Sequence, residues 1–199
     1  MDLAAVRGHE AETVPDELQE SAVIVPVIEP DDEPRLLFTK RAEHLSNHPG
    51  QMSFPGGRRE REDVDLEATA NREAREEIEL QADEIGFVGR LDDIRTVTEF
   101  SVRPFVATIP DRAYEPGDDE VAEVAPLSVA ALTDLDNYDS ERRDHPYYGD
   151  IRLHYFRVGG YVVWGATARI LVQFLDLATD WEMPPEPDRE VEPDADFPV

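Results

Sequence analysis

The chain has 199 residues, with 46 acidic residues against 19 basic ones and a net charge of −27. Such a surface repels nucleic acid and anionic membranes, whose binding needs a basic patch. Cysteine is absent, which excludes disulfides, thiolate catalysis and cysteine-ligated metals. Lys40 is the single lysine. Acid excess with so little lysine reads as a solvation adaptation to high salt, where screening weakens self-repulsion.

Residues 1–19 form a polar lead-in, partly helical, without the apolar core of a signal peptide. The longest apolar stretch, 22–28, is too short to span a bilayer, so a soluble cytoplasmic protein is expected. Residues 21–29 and 35–41 read as strands around the turn-like segment 30–34. A long loop follows, with Gly50, Pro55, Gly56 and Gly57; loops of this length in compact domains usually serve function. Leu66, Ala70, Ala74 and Ile78 recur every four residues and predict a helix over 65–79, capped by Asp63 or Asp65.

Strands are expected at 86–96, 102–109 and 121–129, then a short helix near 128–134. Residues 136–150 read as a second polar loop. Residues 151–158 and 161–164 flank Gly159–Gly160 as a hairpin. A helix over 166–178 closes the domain, and the acidic, Pro-rich residues 181–199 read as a disordered tail. The order predicts one α/β domain over 20–180, a mixed sheet with helices on both faces.

The 65–79 helix carries an arrangement that needs a cause. Glu73, Glu76 and Glu77 lie three and four positions apart, so like charges neighbour one another at roughly 0.2–0.5 kcal/mol per pair. They also occupy the C-terminal half, where the helix dipole disfavours anions. A divalent cation reverses both terms, and an all-carboxylate set suits Mg²⁺ or Mn²⁺. A solvated acidic face is the alternative. The preceding Phe54-Pro55-Gly56-Gly57 segment favours the metal, since its glycines let backbone approach a ligand closely.

Gly57 to Leu80 resembles the Nudix box, G-x5-E-x7-R-E-U-x-E-E-x-G-U with U a bulky apolar residue. Arg72–Glu73 and Glu76–Glu77 match its R-E and E-E pairs. Asp63 replaces the first glutamate, the next spacer has eight residues, and Glu79 stands at the glycine. Upstream, Thr39, Arg41, Gly50 and Phe54 to Gly57 match the signature of the coenzyme A diphosphatase subgroup; Phe38 lies between leucine and threonine, Ala42 replaces its serine and Ser46 its second arginine. Residues 120–124 and 162–171 are also similar to that subgroup.

The resemblance implies a Nudix fold, an α/β/α sandwich. It implies Mg²⁺- or Mn²⁺-dependent hydrolysis of a small-molecule nucleotide substrate. Coenzyme A or acyl-CoA is preferred; ADP-ribose, NADH or another dinucleotide is the alternative, and a non-catalytic binding module a third reading. It implies Glu73, Glu76, Glu77 and the Gly56 carbonyl as metal ligands, with Arg72 orienting a glutamate. Glu73 and Glu120 compete as catalytic base, and Asp63 ties the loop to the helix. Arg41, Lys40 and Gly57 are expected at the substrate, with Arg103 a weaker phosphate candidate. His44, His48, His145 and His154 show no metal-ligand spacing and are expected in loops or at the surface. Phe54 and Trp164 are expected to pack. The protein is expected to act as a monomer or homodimer.

Overall fold

The computed structural model describes residues 1–14, 19–29, 33–96, 100–145, 149–193 and 195–197; most of the turn expected at 30–34 lies outside them. A short helix, α1 (Leu3–Gly8), leads into β1 (Gln19–Ile28) and β2 (Arg35–Arg41). Two short strands, β3 (Met52–Ser53) and β4 (Gly56–Arg58), interrupt the long loop before α2 (Leu66–Ile78). Then come β5 (Gly86–Arg90), β6 (Ile94–Arg95), β7 (Phe100–Thr108), β8 (Val121–Ser128) and α3 (Val129–Thr133). The chain ends with β9 (Tyr138–His145), β10 (Gly149–Val158), β11 (Tyr161–Val163), α4 (Gly165–Ala178) and β12 (Arg189–Val191).

β1 to β8 make one mixed sheet. Its centre is the parallel pair β1–β7, in register from Gln19 opposite Phe100 to Val27 opposite Thr108; the other pairs are antiparallel. Alternation along β1 supplies two cores. Ala22, Ile24 and Ile28 meet Leu66, Ala70, Ala74 and Ile78 of α2, the apolar edge read from the sequence. Val25 and Val27 face the other way, onto Leu171, Phe174 and Leu175 of α4 and onto Phe156 and Val163. Helices therefore cover both faces, as expected for a sheet apolar on both sides. α2 begins at Asp65, whose Oδ1 accepts from the Ala68 amide at 2.8 Å.

Three expectations need correction. The 136–150 segment is not a loop: β9 pairs with β10 from His145 opposite Gly149 to Tyr138 opposite Phe156, within a second sheet ordered β11-β10-β9-β12. Apart from Tyr138, its buried side chains are polar, which hid it. Nor is the tail wholly without structure, since Arg189–Val191 pairs in parallel with Glu141–Arg143. The reason is charge. Glu141 is 1% exposed and is held by Arg143 at 2.8 Å, Arg189 at 3.2 Å and the Tyr155 hydroxyl at 3.0 Å. Arg143 in turn donates to the Ala195 carbonyl at 2.6 Å. The lead-in also belongs to the domain. Val6 is buried in the α4-side core, and the Asp2 amide donates to the Ala178 carbonyl at 2.7 Å.

Candidate active site

The site forms where α2 lies beneath the loop that carries β4. Gly57 lets the Glu73 carboxylate lie directly against the loop backbone, where a Cβ would displace it, and Gly56, at φ 156° against the Ala22 carbonyl, must be glycine. The Gly56 amide donates to Glu77 Oε2 at 3.1 Å. Loop and helix thus meet through backbone against carboxylate.

Arg72 organises this corner. Its Nε and Nη2 grip Asp63 in a bidentate pair at 3.1 and 3.0 Å. Nη1 donates to Glu73 Oε1 at 2.9 Å and to Glu76 Oε2 at 3.1 Å, and Nη2 reaches the Arg58 carbonyl at 2.9 Å. Asp63 also accepts from the Glu60 amide and the Thr69 hydroxyl, at 2.9 and 3.0 Å. These bonds, Arg72 foremost, hold the Asp63 carboxyl down to about 2. Asp63 therefore ties loop to helix.

The glutamates experience the opposite environment. Glu77 is buried, and desolvation above all pushes its carboxyl up to about 8. The Gly56 amide and Arg41 counter this, while Glu73 and Asp118 add to it. Desolvation likewise raises Glu73, opposed by Arg72 and reinforced by Glu76 and Glu120. Among the described residues, no three carboxylate or imidazole groups are drawn close enough to share one ion. Glu73 and Glu76 lean on Arg72 and Glu77 on Gly56, all from one helix face. The donors are all oxygen, mutually repelling and partly desolvated, which fits a hard divalent cation.

A second loop closes the corner. The Gly117 amide donates to the Glu77 carbonyl at 2.8 Å, and a Cβ on Gly117 would stand 2.2 Å from the Glu76 carbonyl oxygen. Asp118 Oδ1 accepts from the amides of Glu120 and Val121, at 3.0 and 3.2 Å. This fixes Glu120 beside Arg41, 3.6 Å away. Sequence reasoning passed over Gly117 and Asp118, which carry no periodic or motif signal.

Of the remaining expected residues, Arg41 reaches the acidic corner but Lys40 does not: it lines a separate cleft with Tyr161 and Trp164. Arg103 is taken up by buried Asp93 in a bidentate pair at 2.9 and 2.8 Å, which commits its Nε–Nη2 edge. His154 is not a surface residue. It is buried, with Nδ1 2.8 Å from the Tyr138 hydroxyl, because β10 points it into the second sheet's core side. The His145 side chain lies outside the described residues. Phe54 packs as expected, stacked on Phe38 at 4.6 Å. Glu79 takes the left-handed conformation (φ 53°) that the box glycine would supply, and the Leu80 amide closes the helix on the Ala74 carbonyl at 3.2 Å.

The NUDIX domain family model matches residues 18–148. Proteins named Uncharacterized Nudix hydrolase NudL are similar over 159 residues, 77% of this chain and 79% of theirs. Identity is 38% for that of Enterobacter sp. (strain 638) and 40% for that of Cronobacter sakazakii. The crystal structure of a MutT/nudix family protein from Enterococcus faecalis shares the fold, with TM-score 0.56 and 15% identity over 82% of this chain and 62% of that one. Among the described residues no helix is long and apolar enough to cross a membrane. The chain belongs to the Nudix hydrolase family, whose members break pyrophosphate bonds in small-molecule nucleoside diphosphate derivatives and generally use divalent metal ions.

Proposed function

We propose that the protein is a coenzyme A diphosphatase, cutting coenzyme A or its acyl derivatives to 3′,5′-ADP and a 4′-phosphopantetheine product. One observation carries this reading. The residues that resemble the subgroup's signature form one continuous piece of structure that meets the box helix at Gly56 and Gly57. Arg41 and Gly50 pair through backbone at 3.1 Å, the Arg41 amide donates to the Gln51 carbonyl at 2.9 Å, and Phe54 stacks beneath before the chain enters Gly56 and Gly57.

Glu73, Glu76 and Glu77, with the Gly56 carbonyl, would hold Mg²⁺ or Mn²⁺. When bound, the metal supplies neutralisation of the diphosphate and a lowered pKa for an attacking water. Arg72 holds Glu73 and Glu76 in place while Asp63 fixes Arg72 itself. Glu73 and Glu120 are the two candidates to accept the water's proton. Arg41, beside Glu120, faces the diphosphate, and Gly57 keeps the floor open for it. The chemistry needs positioning and charge neutralisation more than covalent assistance.

The test is a substrate panel at high salt with Mg²⁺ or Mn²⁺, with products identified by mass. Cleavage of coenzyme A to 3′,5′-ADP is expected. Rapid cleavage of ADP-ribose or NADH with coenzyme A untouched would overturn the substrate, and no turnover of any nucleotide would leave a binding module.

A further inference from the structure

Lys40 stands apart from the acidic corner although it adjoins Arg41. The β2–β8 register slips between them: Lys40 lies opposite Glu123, but Arg41 lies opposite Val121. Such irregularities re-aim side chains beside active sites. Here Arg41 reaches Glu120, while Lys40 lines a cleft of about 690 Å³ between the 43–52 loop and the β10–β11 hairpin. That volume lies within the usual range for a small-molecule site.

The ammonium is uncommitted. Among the described residues its side chain makes no ion pair or hydrogen bond, in a chain with 46 carboxylates. Arg41, the adjacent cation, pairs with Glu120 and points to the acidic corner instead. Two carboxylates are near, and neither is paired with Lys40. Glu123, directly across the strand pair, accepts from the Tyr161 hydroxyl. Glu43 itself lines the cleft, beside the Gly50 backbone. The walls are Pro49, Met52, Tyr161 and Trp164, and His48 borders the cleft in the left-handed conformation at φ 55°. An unpaired cation with half-buried rings around it suits an anionic group carried next to a flat, apolar one.

From this we infer that the cleft takes the 3′-phosphoadenosine half of the substrate, with Lys40 contacting the ribose phosphomonoester. The inference rests on the coenzyme A reading. It gives Lys40 the part of discriminating nucleotides that carry this second phosphate from those that do not. In a protein of charge −27, a bare ammonium offsets the general repulsion of a doubly phosphorylated ligand at the one place where it docks.

The experiment compares coenzyme A with 3′-dephospho-coenzyme A, which has the same diphosphate, using the full chain, K40Q and K40R. Wild type is expected to prefer coenzyme A in kcat/KM by about tenfold or more, the scale of one charge-assisted hydrogen bond. K40Q should collapse that preference, mainly through a higher KM for coenzyme A, and K40R should restore part of it. Melting temperatures establish that the variants fold. A preference that survives in K40Q, or an equal loss on both substrates, overturns the role of Lys40 while leaving the diphosphatase reading intact. Cleavage of neither compound alongside turnover of ADP-ribose overturns both.

Discussion

Two of the protein's buried carboxylates, Glu141 and Glu77, are treated in opposite ways. In the second sheet, Glu141 meets Arg143, Arg189 and Tyr155, so its charge is answered from within the fold. On α2, Glu77 accepts one backbone hydrogen bond from Gly56, faces Glu73 and Asp118, and has only Arg41 as a cation acting on it, without a direct bond. Arg72 serves Asp63, Glu73 and Glu76 at once and makes no bond to Glu77. The first cluster is closed. The second carries more acids than its own cations pair, which is the ground for proposing a divalent ion there.

The comparison is broken most strongly by Glu141→Ala. Removing the shared acid strands buried Arg143, while Arg189 keeps Asp139 at 2.8 Å, and a broken buried pair costs about 3–5 kcal/mol. A large drop in melting temperature is expected; an unchanged one would mean Arg143 finds water instead. Glu77→Gln should do the reverse. Folding is retained, with no loss of stability in the absence of divalent metal, while kcat falls on the order of 10²–10³-fold, as when a preorganised electrostatic group is removed. Full activity in that variant would dismiss Glu77 from the site.

A third test concerns pH and belongs to the second sheet. Burial, with Arg152 and Arg169 nearby, lowers His154 from 6.5 to about 4. The unfolded chain therefore binds the proton more readily. The stability this group contributes is present above about pH 6.5 and is lost as pH falls toward 4, by up to about 3 kcal/mol. Melting curves across that window should show a smaller loss for His154→Gln than for wild type; parallel curves would contradict the burial argument. The smallest effect is at Glu79. Glycine there relieves a left-handed residue and should stabilise by about 1 kcal/mol, with activity retained. Lost activity would give Glu79 a function that its helix-ending geometry does not require.

How much of this was legible in sequence divides along the same line. The α2 edge was readable because Leu66, Ala70, Ala74 and Ile78 repeat with the helix, and the glutamates because their spacing is costly without a purpose. The hairpin at Gly159 and Gly160 was readable because both residues adopt positive φ. β9 was not, since beyond Tyr138 its buried positions are Ser140, Glu141 and Arg143 rather than apolar residues, and Glu141 is satisfied in part by Arg189, nearly fifty positions away. The docking of Gly117 on the end of α2 was hidden likewise. It is a backbone contact between distant segments, without a pattern in side-chain type. Lys40 was singled out for its rarity, but only the slipped register separates it from Arg41.

The central claim is that the acidic corner of α2 lacks a counter-charge that a divalent cation provides. Its most direct test is the melting temperature of wild type and Glu77→Gln at fixed high monovalent salt, with and without millimolar Mg²⁺ or Mn²⁺. A ligand that binds the folded state alone must stabilise it. A metal-dependent rise in wild type that shrinks or vanishes in Glu77→Gln is the result this account predicts. An equal rise in both proteins, or none in either, would contradict it.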